Sequence, residues 1–260
     1  MTDEALVQAI ADYPYLVDIY VYGSTSEGLE KFRKYCSAYD ELISRDSSKQ
    51  AFLRDGIKLL NNYNQKADDR NEFVQMALEE IITTLYNDVT IVKDFDKKLG
   101  ITTYATVSTP KGSSVTVYEF KEEHSAGEHA LADSNIVSTY GVTLIAPGSC
   151  QYNCHSYAWY STASSNKYWI NDPSVYMTDG SYTKVFNGSI GSPTNIYSIA
   201  INDRVYYEGT HTALFKGIPA SGQPVASQDC YSKWGQLGVF KHTVAQVPAE
   251  YGLSVTIWHR

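Results

Sequence analysis

The stretch that decides the fold runs from Pro147 to Tyr160 and reads PGSCQYNCHSYAWY. Its Pro-Gly-Ser start is typical of a loop. The residues from Cys154 onward have helical spacing, with Cys154 and Tyr157 on one face, and Asn153 is a favourable N-cap. A cysteine in the first helical turn lies near free backbone N–H groups and the positive end of the helix dipole, both of which stabilise a thiolate. The stretch therefore predicts a helix that begins with a nucleophilic cysteine.

A candidate base comes later in the chain, at the start of the strand-like run His211-Thr212-Ala213-Leu214-Phe215. In cysteine hydrolases a histidine takes the thiol proton and later protonates the leaving amine, and a third group orients the ring. If the chain returns antiparallel after a short turn, residues 229–232 lie opposite His211. Asp229 and Ser232 are the candidates for the third group. Because strand side chains alternate, only one of them can be correct, and a backbone carbonyl is the alternative.

Composition narrows the classes of protein that fit. The chain has 260 residues, 43% of them hydrophobic, and a net charge of −8, so it can form one large or two modest domains. The net negative charge argues against nucleic acid or an anionic membrane surface as a partner. No run approaches the roughly 18 apolar residues of a membrane span. The N-terminal residues lack the features of a signal peptide, so we expect a cytosolic chain or a secreted one numbered from a trimmed start.

The four cysteines do not form a metal-binding pattern. Cys36 lies within a helical pattern and is expected to be buried. The spacing of Cys150 and Cys154 does not fit a zinc CxxC pair, and no second pair follows, so we expect neither a metal nor another cofactor. A disulfide from Cys154 to Cys150 or to Cys230 would block the nucleophile and remains an alternative.

Residues 1–95 have the apolar spacing of helices. Leu29, Phe32, Cys36 and further apolar residues up to Ile43 step by three and four, which predicts an amphipathic helix. Similar spacing recurs, and the expected helices begin near Thr2, Ser26, Ser48 and Phe73. Four amphipathic helices are typical of a small bundle, so we interpret residues 1–95 as a helical N-terminal region.

Beyond residue 95 the pattern changes to strands. Alternation in residues 102–107 and 115–120, around a turn at Pro110-Lys111-Gly112, predicts a β-hairpin. Short strands separated by Gly, Pro, Ser and Asp then predict an antiparallel sheet, with strands at Val142–Ile145, Ile196–Ile201, Arg204–Tyr207, His211–Ile218, Pro224–Tyr231, Gly238–His242 and Leu253–Trp258. Helices first and a sheet afterwards indicate the α+β class, with residues 96–260 as the second domain.

Aromatic residues are frequent, with 22 tyrosines in the chain. Residues 161–198 combine aromatics with Ser, Asn and Gly and show little regular pattern, which is typical of a long loop. Such a loop beside a site can line a substrate groove, and plain packing is the alternative. The aromatic residues that we take as candidate substrate contacts are Tyr152, Trp169, Tyr176 and Trp234.

The residues from Asn153 to Tyr160 resemble the nucleophile motif of papain-like cysteine hydrolases of bacterial cell walls, the NlpC-type and CHAP domains. That motif reads Asp-Cys-Ser-Gly-Phe-Val-x-Tyr or close to it. Asn153 stands for the aspartate, Cys154 for the nucleophile, and His155 and Ser156 for the two small residues. His155 departs from the motif, because it is not small.

Two later segments extend the resemblance over about residues 100–260. Asp203–Tyr207 followed by His211–Phe215 is similar to the family's second motif, in which a histidine begins a core strand. The segment Ser232-Lys233-Trp234-Gly235 is similar to the third-residue segment of CHAP-like domains. The segments Tyr13–Asp18 and Gly28-Leu29 also look like the helical leader of secreted proteins from Gram-positive gut bacteria.

The resemblance implies a papain-like domain in which the catalytic helix packs on an antiparallel sheet. It implies a Cys154–His211 dyad, with the ring within roughly 3–4 Å of the sulfur, that hydrolyses peptide or amide bonds in peptidoglycan stem peptides without a cofactor. It also implies a secreted or cell-wall-associated protein. Two alternatives stay open: a toxin-like or acyl-transferring member of the same fold with a non-wall substrate, and a non-catalytic module that binds glycan or protein.

Overall fold

The computed structural model describes residues 1–45, 55–56, 58–59, 69–87, 101–120, 124–193, 199–208, 210–217 and 222–260. In these ranges the chain combines helices with antiparallel sheets, which confirms the α+β class. The helix predicted from Ser48 lies almost entirely outside them. Half of the strand predicted at Ile196–Ile201 also lies outside them, and the prediction is wrong for residues 199–201, which form no strand. Of the helices in the described ranges, none has the length and apolar character needed to cross a bilayer.

The N-terminal helices begin near the expected positions, but one of them is divided. Thr2 caps the first helix by accepting the N–H of Ala5 (3.2 Å). The helix expected from Ser26 to Ile43 is wrong as a single element, because Cys36 has an extended backbone (φ −101°, ψ 94°) that ends the helical hydrogen-bond ladder. The helices are α1 (Asp3–Ala11), α2 (Thr25–Phe32), α3 (Ser37–Ile43) and α4 (Asp69–Asn87), with a 3-10 turn at Leu16–Tyr20 between α1 and α2.

The predicted hairpin is confirmed by β1 (Ile101–Ser108) and β2 (Ser114–Phe120), which pair antiparallel with Val107 opposite Val115. Helix α5 (Ala126–Tyr140) follows the hairpin. It begins at a capping box, in which Ser125 and Glu128 satisfy each other's backbone N–H groups.

A seven-stranded antiparallel sheet forms the centre of the molecule, in the order β3-β8-β7-β6-β5-β9-β4. Strand β4 lies in the segment that the sequence indicates as irregular, so that interpretation is wrong for its seven residues. The strand predicted from Pro224 begins only at Asp229, because Val225–Ser227 form a 3-10 turn. The strands are β3 (Thr143–Ala146), β4 (Thr183–Ser189), β5 (Arg204–Tyr207), β6 (His211–Phe215), β7 (Asp229–Lys233), β8 (Val239–Thr243) and β9 (Ser254–His259).

The sheet is covered on both faces. Alternation along β6 directs Ala213 and Phe215 to one face and Leu214 to the other. The first face joins the N-terminal helices in one hydrophobic core, which extends in sequence from Leu6 to Ile257. The second face packs against the hairpin and against the helix from Cys154 to Tyr160, which we call the cysteine helix.

The N-terminal segment is also tied to the sheet by hydrogen bonds. The backbone N–H of Gln236 donates to the carbonyl of Tyr20 (3.1 Å), and the hydroxyl of Tyr251 donates to the carbonyl of Val21 (3.3 Å). The predicted boundary at residues 95 and 96 therefore does not separate two hydrophobic cores.

Two helical glycines allow a test of how closely α2 approaches this core. A Cβ on Gly28 would lie 1.9 Å from the backbone oxygen of Ile19, whereas a Cβ on Gly127, in the first turn of α5, would meet only the Ser125 hydroxyl at 3.8 Å. We expect Gly28→Ala to lower the free energy of unfolding by about 3 kcal/mol through steric overlap. Gly127→Ala, the matched control, should raise it by about 0.5 kcal/mol through helix propensity. Urea unfolding measures both, and equal effects would contradict the close packing of α2.

Candidate functional site

The start of the cysteine helix is fixed by Asn153. Its side-chain oxygen accepts the N–H of Ser156 (3.0 Å) and of Ile170 (3.2 Å), and its amide nitrogen donates to the carbonyl of Ile170 (2.7 Å). The predicted N-cap is confirmed. Asn153 also joins the helix start to a distant loop, so Cys154 in the first turn has a defined position.

The helix continues as a single π-helical turn over Ser156–Tyr160, in which the N–H of Ser161 donates to the carbonyl of Ser156 (2.9 Å). The guanidinium of Arg204 donates to the carbonyl of Ala158 (3.0 Å). Single π turns are frequent at functional sites. Here the turn is held by the neighbouring strand β5.

Thr212 is the β6 residue whose side chain faces the cysteine helix. Its hydroxyl oxygen accepts the indole N–H of Trp159 (3.1 Å) and its hydroxyl proton is directed to Nδ1 of His155 (2.8 Å). Burial lowers the pKa of His155 to about 4, so the ring is neutral at physiological pH and can accept that proton. The departure of His155 from the small residue of the motif is therefore a packing feature, in which the ring fills the space between helix and sheet.

Cys154 is buried, and burial decides the state of its thiol. Burial raises the pKa of the thiol to about 12, while the backbone N–H groups of Thr212 and His155 and the charge of Lys233 lower it by less. The expected lowering of the thiol pKa is therefore wrong for this conformation, because desolvation outweighs the helix start. All four cysteines are free thiols.

His211 is fully buried on the opposite side of β6 from Thr212. Its ring stacks on Tyr251, with centroids 4.1 Å apart and planes at 8°. Within the described residues neither ring nitrogen has a hydrogen-bond partner, so the expected hydrogen bond to Cys154 is absent from this conformation. The pKa of His211 lies well below its ordinary value, mainly because of burial, and the neighbouring His242 and His155 lower it further.

Cys154 and His211 nevertheless share one neighbourhood. The N–H of Thr212, the residue after His211, acts on the Cys154 sulfur. The charge of Cys154 also raises the pKa of Tyr251, the residue on which His211 stacks. The sheet thus brings the predicted nucleophile and base together without joining them.

The predicted third residues do not orient His211. Strand β6 pairs with β7 through Leu214 opposite Tyr231 and Phe215 opposite Cys230, so the expectation that residues 229–232 lie opposite His211 is wrong. The cause is the position of β7, which begins only after a 3-10 turn and is therefore displaced along β6.

Ser232 and Asp229 both have other partners. Oγ of Ser232 bonds to Nε2 of His242 (2.6 Å) and accepts the indole N–H of Trp234 (2.9 Å). Asp229 points to the other face, is half-exposed, and forms an ion pair with Lys241 (3.0 Å).

The four aromatic residues predicted to contact substrate are buried, three of them within the two cores and Trp169 outside both. The ring of Tyr176 lies 5.9 Å from that of Trp159, and the ring of Trp234 lies 5.2 Å from that of Tyr140. Tyr152 packs near Tyr157, and Trp169 packs against Phe120. In this conformation the prediction of a groove lined by these residues is wrong, and their packing alternative holds.

Three residues of the site were not predicted from the sequence: Lys233, His242 and Tyr251. The sequence indicates Lys233 only as part of the segment that is similar to CHAP-like domains. A periodic pattern of apolar residues does not predict that a lysine next to Trp234 is buried. His242 lies near a strand end, and its partner Ser232 is adjacent only because β7 and β8 pair. Tyr251 carries no sequence signal, since it reaches His211 from a short 3-10 turn.

Two further features of the described residues bear on ligand binding. No three of the described His, Cys, Asp and Glu side chains come together as a metal site. A groove of about 590 Å³ lies between α4 and α5, where Glu72, Glu79 and Glu128 line it. Cys154 and His211 are not among the residues that line that groove.

Comparisons with protein-family models, with curated proteins and with solved structures gave no match for this chain. Its function must therefore be inferred from its own residues. They offer a helix-start thiol, a buried lysine whose charge acts on that thiol, and a buried histidine whose two nitrogens have no partner among the described residues.

Proposed function

We propose that the chain is a cysteine-dependent hydrolase of peptide or amide bonds, built on an NlpC- or CHAP-like domain, with Cys154 as nucleophile and His211 as base. Peptidoglycan stem peptides are the substrate that the sequence resemblance favours. The observation that carries the proposal is the state of His211, which has 0% exposure and two ring nitrogens that find no partner in the part of the chain that the structure describes.

The unsatisfied histidine is unusual within its own sheet. His155 and His242 are also buried, and their ring nitrogens are hydrogen-bonded to Thr212, to Ser232 and to the backbone of Thr243. An unpaired buried polar group costs about 1–3 kcal/mol. Among the described residues, Tyr20, Tyr22, Tyr176 and Glu250 each have one buried side-chain atom without a hydrogen-bond partner, whereas His211 has two. Two unsatisfied atoms on one buried side chain are a reason to consider a functional role.

The described conformation corresponds to a resting state. The raised pKa of Cys154 and the lowered pKa of His211 both leave the proton on sulfur. Catalytic hydrogen bonds are often long or missing without substrate and tighten when it binds. Because the ring lies on the other side of β6 from the helix that carries Cys154, we infer that substrate binding opens the contact between His211 and Tyr251 and also turns the start of β6, so that the ring reaches the thiol.

In that arrangement the chemistry follows from the residues present. His211 takes the proton of Cys154, and the thiolate attacks the amide carbonyl to form a C–S bond. The backbone N–H groups of His155 and Thr212, which already act on the sulfur, are suited to stabilise the oxyanion. His211 then protonates the leaving amine, and water hydrolyses the thioester to release the acid and the free thiol.

One observation favours a second candidate, the non-catalytic module. A thiol with a pKa of about 12 is almost entirely protonated at neutral pH, and a buried cysteine commonly serves as a small apolar side chain. In a non-catalytic module Cys154 is a packing residue, and replacing it changes no reaction rate.

Replacing Cys154 separates these candidates. We expect the purified chain to release amines from cell-wall material, and Cys154→Ala to lower that rate by at least about 1000-fold, because nucleophile and base act as a unit. Cys36→Ala is the matched control, since it removes another buried sulfur from the N-terminal core. Release of amines that continues at the same rate in Cys154→Ala, or no release from cell wall or simple peptide amides, would reject the proposal.

A further inference from the structure

Lys233 is a buried cation at the end of β7. Its side chain has 0% exposure, and its ammonium donates to the carbonyl oxygens of Ser149 (2.8 Å) and Gly235 (2.7 Å). Ser149 belongs to the loop that leads into the cysteine helix, and Gly235 belongs to the turn after β7. The ammonium is therefore held in place between the two loops by fixed backbone atoms.

The side chain of Lys233 lies on the face of the sheet that packs against the cysteine helix. Its neighbour across the ladder is Val239, which belongs to the same core as Tyr157 of that helix. The ammonium also lies 5.2 Å from the ring centroid of Tyr152, just before Asn153. The ammonium of Lys233 therefore lies beside the residues that lead into the helix start, and its charge acts on the Cys154 sulfur.

Several titratable groups surround the Cys154 sulfur. Lys233 acts on it with a favourable charge, the backbone N–H of His155 also acts on it, and the hydroxyls of Tyr206 and Tyr251 are close enough to feel its charge. The charge of Lys233 also lowers the pKa of Asp133, whose carboxyl oxygens accept the backbone N–H groups of Gly148 and Gly238. The lysine charge therefore acts on a carboxylate and on a thiol.

Burying an ammonium is costly, and backbone carbonyls offset only part of the lost hydration. A neutral donor such as glutamine also bonds to carbonyl oxygens, so loop anchoring alone does not require a charge. A positive charge becomes necessary when an anion has to form nearby. We propose that Lys233 is a positioning residue whose fixed charge stabilises the Cys154 thiolate, an inference that rests on the proposed role of Cys154 as nucleophile.

Alkylation of the full chain by iodoacetamide at a series of pH values tests this role, with the rate at each cysteine measured by mass spectrometry of its peptide. We expect Lys233→Gln and Lys233→Met to slow alkylation of Cys154 about tenfold at each pH, because one pKa unit changes the thiolate fraction tenfold. Lys233→Arg keeps the charge and should stay near the wild-type rate. Cys36 is the internal control, whose rate should not change.

Two outcomes of that experiment overturn the inference. One is an unchanged Cys154 rate in a folded neutral variant. The other is a Lys233→Arg rate that falls as far as that of Lys233→Gln, because the role would then be one of shape and not of charge.

A measurement on the wild-type chain covers the case in which the neutral variants do not fold. A fixed positive charge beside a sulfur favours the anionic reagent iodoacetate over neutral iodoacetamide. We expect the ratio of the two rates to be several-fold higher at Cys154 than at Cys36, and an equal or lower ratio would overturn the inference. Neither measurement depends on hydrolysis. If the chain hydrolyses nothing but the reactivity of its Cys154 thiol depends on Lys233, the proposed function is rejected and the inference about Lys233 stands.

Discussion

Replacing His211 by phenylalanine is expected to stabilise the chain and to abolish hydrolysis. Both ring nitrogens are buried and bond to none of the described residues, whereas in the unfolded chain water hydrates both of them. A phenyl ring has no polar atoms to desolvate and can keep the stacking on Tyr251. Removing the unsatisfied atoms should therefore raise the free energy of unfolding by about 1–3 kcal/mol.

His242 offers a matched control on the same sheet. It is also buried, but its Nε2 bonds to Ser232 (2.6 Å) and its Nδ1 donates to the carbonyl of Thr243 (2.7 Å). His242→Phe removes both hydrogen bonds, although the Ser232 oxygen still accepts the Trp234 N–H and the Thr243 carbonyl still accepts the Gln246 N–H. It should therefore lower the free energy of unfolding by about 1 kcal/mol. Thermal unfolding should thus move in opposite directions for the two substitutions.

His211→Leu guards against the larger volume of the phenyl ring, since overpacking by itself destabilises a core. A rise in stability with loss of activity would identify His211 as a residue retained for function at the expense of stability. If both His211 variants destabilise the chain as much as His242→Phe, the histidine is satisfied in solution and the main support for the proposed base is lost.

Asp18 is expected to make the stability of the chain fall as pH rises. This carboxyl lies in the 3-10 turn at Leu16–Tyr20 and is only 7% exposed. Burial raises the pKa of Asp18 from 3.8 to about 8, and the charge of Glu250 raises it further. The hydroxyl of Tyr140 donates to both carboxyl oxygens (2.8 and 2.7 Å) and offsets part of this rise in pKa.

The sign of this effect follows from the two pKa values. Between about pH 4 and pH 8 the folded chain keeps the Asp18 proton and the unfolded chain has lost it. Stability is therefore greatest at the acidic end and falls on the order of 1.4 kcal/mol for each pH unit, until the folded carboxyl also ionises near pH 8. Burial raises the pKa of Glu250 as well, which adds an effect of the same sign.

Asp18→Asn should remove most of this dependence, because the amide is uncharged at every pH and can still accept the Tyr140 hydroxyl. Near pH 9 the variant should unfold about ten degrees or more above the wild type, and near pH 4 the two should be close. Asp40→Asn is the control, since Asp40 is exposed and pairs with Arg33 at the surface. Parallel stability curves for Asp18→Asn and the wild type would show that the carboxyl is not buried as described.

Local features of the fold were predictable from the sequence because each depends on neighbouring residues. The Asn153 cap requires only a short polar side chain before a helical run, and the hairpin of β1 and β2 requires only alternation around a turn. The α+β class follows from the order of these patterns. Where a local feature was missed, as at Cys36, the extended backbone is not encoded in the apolar spacing on either side of it.

The arrangement of the site was decided by tertiary structure. All five residues of β6 are buried, so the strand shows no alternation of polar and apolar residues to indicate which face meets the cysteine helix. The helix meets Thr212, and His211 turns toward Tyr251 and the N-terminal core. The register of β7 depends on a 3-10 turn, and the burial of Lys233 depends on carbonyls from two separate loops. Sequence spacing determines which residues are close along the chain, whereas the packing of both sheet faces determines which of them meet.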